Sequence, residues 1–184
     1  MLVIQIKYPK LSLFILSLIV AYLLFSFRSF APLHNTLILL GYFGTFLTGI
    51  LYAYGFTAPL ATVILLILSG DQNILFAGVV AGLGALLSDL IIFLFIRHSF
   101  TDEIERFSKE KLFQRISKKI SPTLQRYILI ALASFLIASP LPTEIGVTLM
   151  ASLKSISTKK FAVITYLLHT TGIFVILLIG RNIN

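Results

Sequence analysis

Three ionisable side chains of this chain lie in or beside apolar segments. Asp89 falls within the apolar run 74–96, Glu144 follows a break that contains proline, and His169 lies midway along the last apolar run. In membrane proteins such groups are costly unless they face protein or water, and they mark substrate and ion pathways. These three residues are therefore the candidates for transport or ion coupling.

Asp89 shares one helix face with small residues. Gly78, Gly82, Ala85 and Asp89 follow one another at spacings of four, three and four residues, which places them on a single stripe. Small residues allow membrane helices to pack closely. The stripe predicts that Asp89 points inward, toward neighbouring helices.

Two interpretations of Glu144 remain open. It follows Pro140 and Pro142 in the first turn of an outgoing helical limb, where the helix N-terminus favours negative charge. It is either an ordinary acid at a helix start or a group that lines a cavity with Asp89. On the second interpretation, both acids line one central cavity and at least one of them exchanges a proton during transport.

His169 also admits two interpretations. It shares a helix face with Thr165 and Gly172. A single histidine in an apolar helix is either a packing residue or a proton carrier, since imidazole changes its charge near neutral pH. In the second case, His169 joins the two acids from the last helix.

The composition suits a membrane-embedded chain rather than a soluble domain. Of the 184 residues, 58% are hydrophobic and 12% are charged, whereas soluble domains carry about 25% charged residues. The net charge is +8, but the basic residues lie at the ends of apolar segments, which indicates orientation in a membrane rather than nucleic-acid binding. Cysteine and enzyme motifs are absent, so we expect a non-enzyme with no cofactor and no metal site.

The apolar segments predict an all-α, polytopic membrane helix bundle. Two runs, 74–96 and 161–179, are long enough to cross about 30 Å of hydrocarbon. Basic residues, Arg97 and Arg181, close these two runs and are expected to act as end-of-span anchors. The N-terminal run 11–27 lacks a small-residue cleavage site, which favours an uncleaved anchor helix over a signal peptide.

Two further apolar stretches are interrupted by proline. The stretch 36–68 follows a short polar break at 28–35, which contains Pro32. It is broken at Pro59, and the stretch 127–153 is broken at Pro140 and Pro142. Proline removes a backbone donor and ends a helix. The limb that follows Pro59 is too short to span a bilayer, as are both limbs of the second stretch.

The two breaks belong to an internal repeat. A shift of 81 residues superimposes five identical residues within eleven positions: Pro59, Leu60, Thr62, Ile64 and Leu68 onto Pro140, Leu141, Thr143, Ile145 and Leu149. If each broken hairpin is re-entrant, each unit crosses the membrane once and the two units form an inverted repeat, as in many transporters. One membrane domain, 1–184, then contains the anchor (11–27), repeat 1 (36–97), a basic segment (98–126) and repeat 2 (127–181).

The charges favour this topology. With the N-terminus in the cytoplasm, 13 of the 15 basic residues are cytoplasmic and only Arg28 and Arg181 lie outside, in agreement with the positive-inside rule. The basic segment 98–126 is then cytoplasmic. Apolar residues of its later part share one face, which predicts an amphipathic helix on the membrane surface: Leu112, Phe113, Ile116 and Ile120. Ile104 and Phe107 lie off this face.

These motifs resemble the DedA family of the SNARE-associated, VTT-domain superfamily. The resemblance covers about 41–181 and rests on 58–60, on 82–97, on 139–145 and on Gly180-Arg181. It implies two re-entrant hairpins that face each other, and movement of lipids across the membrane. Asp89 is similar to the family's acid in its Gly-Asp to Gly-Arg span, although Ser88 and Ile96 replace glycines.

The charged residues of the hairpins differ from the family pattern. Thr62 and Val63 stand where members often carry an acid, and Glu144 stands where an arginine is frequent. The coupling chemistry of the family therefore does not transfer directly to this chain.

We expect a membrane transporter or lipid scramblase of DedA type. Membrane lipids are the expected partners, protons or cations the candidate coupling ions, and self-association into a homo-oligomer remains open. The alternative is a non-transporting scaffold that acts through the basic segment.

Overall fold

The computed structural model describes residues 15–16, 18–20, 22–23, 31–99, 121–138, 143–153 and 155–183. These residues are helical apart from short turns, and they contain no strand, so the all-α prediction is confirmed. The helices of the ranges from 31 onward are α1 (Ala31–Tyr52), α2 (Ala58–Leu68), α3 (Ile74–Ser99), α4 (Pro122–Ala138), α5 (Thr143–Ser152) and α6 (Thr158–Ile183).

Some predicted features fall wholly or partly outside the described residues. Only seven positions of the anchor at 11–27 are described, and these are helical. The amphipathic face at Leu112–Ile120 lies outside the described residues, as does the second break with Pro140 and Pro142. The part of the basic segment from Pro122 onward belongs to α4.

Within the described ranges, two helices are long and apolar enough to cross a membrane, at Ile74–His98 and Thr158–Ile183. Helix α3 confirms the predicted span, whereas α6 begins three residues before the predicted Phe161. Each helix has 26 residues, or about 39 Å at 1.5 Å per residue.

The exposed faces of α3 and α6 are rich in apolar residues, and each helix buries polar side chains. In α3 the exposed side chains include Leu75, Leu83 and Ile91, while Ser88 and Asp89 are buried. In α6 the same contrast is found, because the exposed residues Val163, Leu167 and Val175 lie opposite the buried residues Thr165, His169 and Thr170. Large apolar residues of both helices are buried as well, among them Phe93, Phe161 and Leu177. Soluble domains mostly expose polar residues, so the apolar exposed faces are what sets these two helices apart.

The first break is present where proline predicts it. Helix α1 ends at Tyr52 and α2 begins at Ala58, with Pro59 in its first turn. Helix α2 has 11 residues and α5 has 10, which correspond to about 16 and 15 Å. Both short limbs are therefore confirmed as too short to span a bilayer.

Helix α1 differs from the prediction at its start. It begins at Ala31, five residues before the expected Thr36, so residues 31–35 are not the non-helical break that their polarity indicated. Pro32 is compatible with this start because a first-turn residue has no intrahelical partner for its N–H group. Helix α1 is instead interrupted at Gly41, where φ is 50° and ψ is −136°.

Helices α3 and α6 are antiparallel and form the centre of the packing. Near one end, a Cβ added at Gly78 would lie 2.6 Å from the Phe174 ring. Near the other end, the rings of Phe93 and Phe161 stack with centroids 4.0 Å apart. Helix α3 also contacts α1 and α5, and α6 also contacts α2 and α4.

Candidate functional site

Asp89 and His169 form a buried pair between α3 and α6. Nε2 of His169 lies 2.9 Å from Oδ2 of Asp89, and the two side chains are 1% and 0% exposed. The predicted inward orientation of Asp89 is confirmed. The structure therefore brings two of the three candidate residues together, across 80 residues of sequence.

Small residues of α3 allow the two helices to approach at this pair. Gly82 lies against Thr170 and Tyr166 of α6, and a side chain at this position would overlap the Thr170 hydroxyl. Ala85, one turn before Asp89, is completely buried. The predicted stripe of small residues thus sets the distance at which Asp89 can reach His169.

Tyr52, the last residue of α1, contacts the pair from a third helix. Its ring lies edge-on to the His169 ring, with centroids 5.9 Å apart and an interplanar angle of 79°. Its hydroxyl lies 3.2 Å from the position that a Cβ on Gly172 would occupy. Sequence analysis did not identify Tyr52; its position immediately before a helix break was the available signal.

Several polar atoms around the pair have no hydrogen-bond partner among the described residues. They are Ser88 Oγ, Asp89 Oδ1, His169 Nδ1 and Thr170 Oγ1. Buried polar atoms are nearly always hydrogen-bonded in folded proteins. The site therefore has unused hydrogen-bonding capacity on both sides of the Asp89–His169 contact.

The 2.9 Å contact allows the two side chains to share one proton. One shared proton gives a net charge of zero, either as carboxylate with imidazolium or as carboxylic acid with imidazole. Release of that proton leaves a net negative charge, and a second proton leaves a net positive charge. Burial disfavours either net charge, which favours the state with one shared proton.

Glu144 contacts the first helix break. Its Oε1 accepts a hydrogen bond from the backbone N–H group of Gly55 at 3.2 Å. The neighbouring Thr143 hydroxyl donates to the carbonyl oxygen of Ala53. Helix α5 thus supplies an acceptor and a donor to the segment between α1 and α2.

A shared cavity for Asp89 and Glu144 stays a prediction. The hollow beside Glu144 has a volume of about 250 Å³ and is lined by Glu144, Ile145, Thr148 and Leu149. Glu144 Oε2 has no hydrogen-bond partner among the described residues. The hydrogen bonds of the two acids differ, because Asp89 contacts a side chain and Glu144 contacts backbone.

The two span-closing arginines contact turns that follow the short limbs. Arg97 donates through Nη2 to the carbonyl oxygen of Leu153 at 3.4 Å, and its guanidinium lies 4.9 Å from the centroid of the Phe93 ring. Arg181 donates through Nη1 to the carbonyl oxygen of Gln72 at 3.5 Å. Each arginine therefore connects a long helix to the short limb of the other half.

Comparison with protein-family models, with curated proteins and with solved structures gives no match for this chain. The functional interpretation consequently rests on the contacts described above.

Proposed function

We propose that the chain is an integral membrane transporter or lipid scramblase of DedA type, in which the Asp89–His169 pair carries the coupling proton. The observation that carries this proposal is the buried acid–imidazole contact between the two span-length helices. A buried ionisable pair of this kind is expensive to maintain in a purely structural role. In a membrane it marks a proton or substrate pathway.

The distribution of polar residues supports membrane insertion. The two long helices expose Leu, Ile and Val and bury Ser, Thr, Asp and His. Lipid solvates the exposed apolar faces, and polar groups are satisfied only against neighbouring helices. The same pattern on a soluble protein would leave a large apolar surface in water.

Two facing re-entrant hairpins, arranged as an inverted repeat, complete the proposed architecture. The 81-residue shift that superimposes Pro59 on Pro140 also superimposes Gln72 on Leu153. These two residues are the carbonyl partners of Arg181 and Arg97. Equivalent turns therefore receive equivalent contacts from the opposite half, which a two-fold relation between the halves would produce.

The kink in α1 makes a re-entrant first hairpin more compact. Beyond Gly41, the limb 42–52 has 11 residues, or about 16 Å, which matches the 11 residues of α2. Interrupted backbone inside a membrane is tolerated only where protein or a watery cavity surrounds it. The break at 53–57 contacts α5, which supports a location within the protein interior.

Lipid movement in liposomes tests this proposal. Purified full-length protein is reconstituted into vesicles that contain a fluorescent lipid, and access of the lipid to an external quencher is measured with and without a pH gradient. We expect movement that depends on protein and changes with pH, and Asp89→Asn should reduce it or remove its pH dependence. Absence of movement under all gradients would favour the alternative of a membrane scaffold.

The topology has a separate test that uses the absence of native cysteine. Single substitutions Asn73→Cys, Ser108→Cys and Asn184→Cys are labelled with an impermeant thiol reagent in intact cells or oriented vesicles. The inverted repeat requires labelling of positions 73 and 184 from outside and of position 108 from inside. Labelling of position 108 from outside would contradict the model of two opposed hairpins.

A further inference from the structure

We infer that Glu144 and Thr143 are positioning residues, which hold the interrupted backbone after α1 so that Tyr52 fixes the His169 ring against Asp89. This inference rests on the proposed function, because it assigns these residues to the same coupling site. It gives Glu144 the role of a hydrogen-bond acceptor rather than of a second proton carrier. It also adds Tyr52 to the site.

Helix α5 engages two of the backbone groups that the break releases. In a continuous helix the N–H group of Thr57 would donate to Ala53, but here it donates to the carbonyl oxygen of Tyr54 at 3.0 Å. The Ala53 carbonyl is thereby released, and it accepts the Thr143 hydroxyl. The N–H group of Gly55, a second released group, donates to Glu144.

These contacts occur where solvent cannot replace them. Ala53 and Gly55 are buried, so an unpaired carbonyl or N–H group there would carry the full cost of desolvation. A carboxylate and a hydroxyl at the start of α5 supply the acceptor and the donor that the break needs. Glu144 and Thr143 need only suitable hydrogen-bonding geometry to make these contacts. Neither residue has to change its protonation state.

Tyr52 connects the break to the buried pair. It immediately precedes Ala53, so the position of its ring follows the backbone that Thr143 holds. The edge-on contact with His169, at 5.9 Å between centroids, is within the range of favourable aromatic pairs. Nε2 of the same ring lies 2.9 Å from Oδ2 of Asp89. The imidazole is therefore held from two directions.

The titratable groups around His169 are few among the described residues. Asp89 faces it from α3 and Tyr52 from α1. On α6 itself, Tyr166 lies one turn earlier with its ring against Gly82. Helix α2 contains no titratable side chain, and those of α4 are Arg126 and Tyr127 near its start. Glu144 of α5 accepts a hydrogen bond from the N–H group of Gly55, which lies three residues after Tyr52.

Ring nitrogen signals of His169 test the inference directly. The full-length protein is labelled with ring-¹⁵N histidine and placed in lipid nanodiscs, and the His169 signals are assigned by their loss in His169→Gln. The spectra are recorded at a pH where the imidazole is neutral. We expect two well-separated nitrogen signals in the wild-type protein, since a fixed hydrogen bond then selects one tautomer and keeps Nε2 and Nδ1 inequivalent. Glu144→Gln should preserve them because the amide retains an acceptor oxygen.

The remaining variants show whether α5 acts on His169 by positioning the break or through the charge of Glu144. Glu144→Leu, Thr143→Val and Tyr52→Ala should each bring the two nitrogen signals toward a common average, whereas Tyr52→Phe should leave them separate. Thr148→Val is the matched control, since its hydroxyl donates to the carbonyl of Glu144 in its own helix. Helix content measured by circular dichroism reports whether each variant is folded. If Glu144→Leu does not fold, Thr143→Val and Tyr52→Ala test the positioning role, with Tyr52→Phe as their control.

Two outcomes would overturn the inference. If Glu144→Gln changed the His169 signals as strongly as Glu144→Leu, the charge of Glu144 would matter and not its acceptor geometry. If Tyr52→Ala or Thr143→Val left the signals unchanged, the break would have no effect on the imidazole. Lipid transport is measured separately on the same variants, so an inactive wild-type protein with the expected signals would reject the proposed function and leave the positioning role intact.

Discussion

Two junctions in this molecule bury polar groups in different ways. Where α3 crosses α6, an acid and an imidazole from the two helices satisfy one another. Where α5 meets the break after α1, an acid and a hydroxyl satisfy backbone groups. The same residue type, a carboxylate in an apolar segment, therefore contacts a side chain of another helix in one place and accepts from the backbone in the other.

The difference shows what decides the role of a buried acid. Asp89 lies in an intact helix, whose backbone groups are already paired, so only another side chain can be its partner. Glu144 lies beside a break, where backbone N–H and C=O groups lack helical partners. The state of the neighbouring backbone, rather than the acid itself, separates the two cases.

Removal of one member of the Asp89–His169 pair should have the largest effect on stability. Asp89→Leu leaves an imidazole buried without its partner, so we expect the free energy of unfolding to fall by about 3–5 kcal/mol. The double variant Asp89→Leu with His169→Leu should be less destabilised than Asp89→Leu alone, because no unpaired group remains. Reversible unfolding in mixed micelles measures both values.

The size of this loss in the free energy of unfolding also shows whether Asp89 and His169 form an ion pair or an ordinary neutral hydrogen bond. Neutral hydrogen bonds between membrane helices contribute about 1–2 kcal/mol or less. A loss of only that size in Asp89→Leu, with no recovery in the double variant, would show that the contact is an ordinary hydrogen bond between packed helices.

Thr143→Val should have an intermediate effect at the other junction. It removes the donor to the buried Ala53 carbonyl, and an unsatisfied buried acceptor costs about 1–3 kcal/mol. Thr148→Val removes a hydroxyl from the exposed face of the same helix, where a change within about 0.5 kcal/mol is expected. Equal effects of the two substitutions would argue against a bridge between α5 and the break.

The sequence predicted the elements better than it predicted their contacts. Proline marked the break at Pro59, and the apolar runs marked α3 and α6, because these signals are local along the chain. The small-residue stripe correctly predicted that Asp89 is buried. The sequence did not decide that His169 is the partner of Asp89, because their contact depends on how two helices far apart in sequence cross.

Two features had no decisive sequence signal. Tyr52 is one of seven tyrosines, and only the fold places its ring against His169. The start of α1 at Ala31 was missed because the polarity of residues 31–35 indicated a loop, whereas Pro32 in a first turn is compatible with a helix. Gly41 gave no warning of the kink, since glycine also occurs within the helical parts of membrane proteins.

Gly41→Ala should have a smaller effect than Asp89→Leu, and one that is independent of both junctions. The backbone angles at this position, φ 50° and ψ −136°, are unfavourable for a residue with a Cβ, by about 1–3 kcal/mol. No atom lies within 4 Å of the added Cβ, so strain rather than crowding causes the loss. Unfolding in mixed micelles measures it, and an additive effect in combination with Thr143→Val would show that the kink and the break are energetically separate.

Gly172→Ala should change function with little net effect on stability. An alanine in a helix interior is favoured over glycine by about 1 kcal/mol, but its Cβ would lie 3.2 Å from the Tyr52 hydroxyl. The ring must therefore shift by a small amount, and the gain in helix propensity offsets the crowding. If Tyr52 positions His169, the pH dependence of lipid movement in liposomes should shift although the free energy of unfolding changes by less than about 1 kcal/mol. Tyr52→Phe in the same background removes the crowded hydroxyl and should restore the wild-type pH dependence. An unchanged pH dependence in Gly172→Ala would mean that the two junctions function independently, and that the contact between Tyr52 and His169 only fills space.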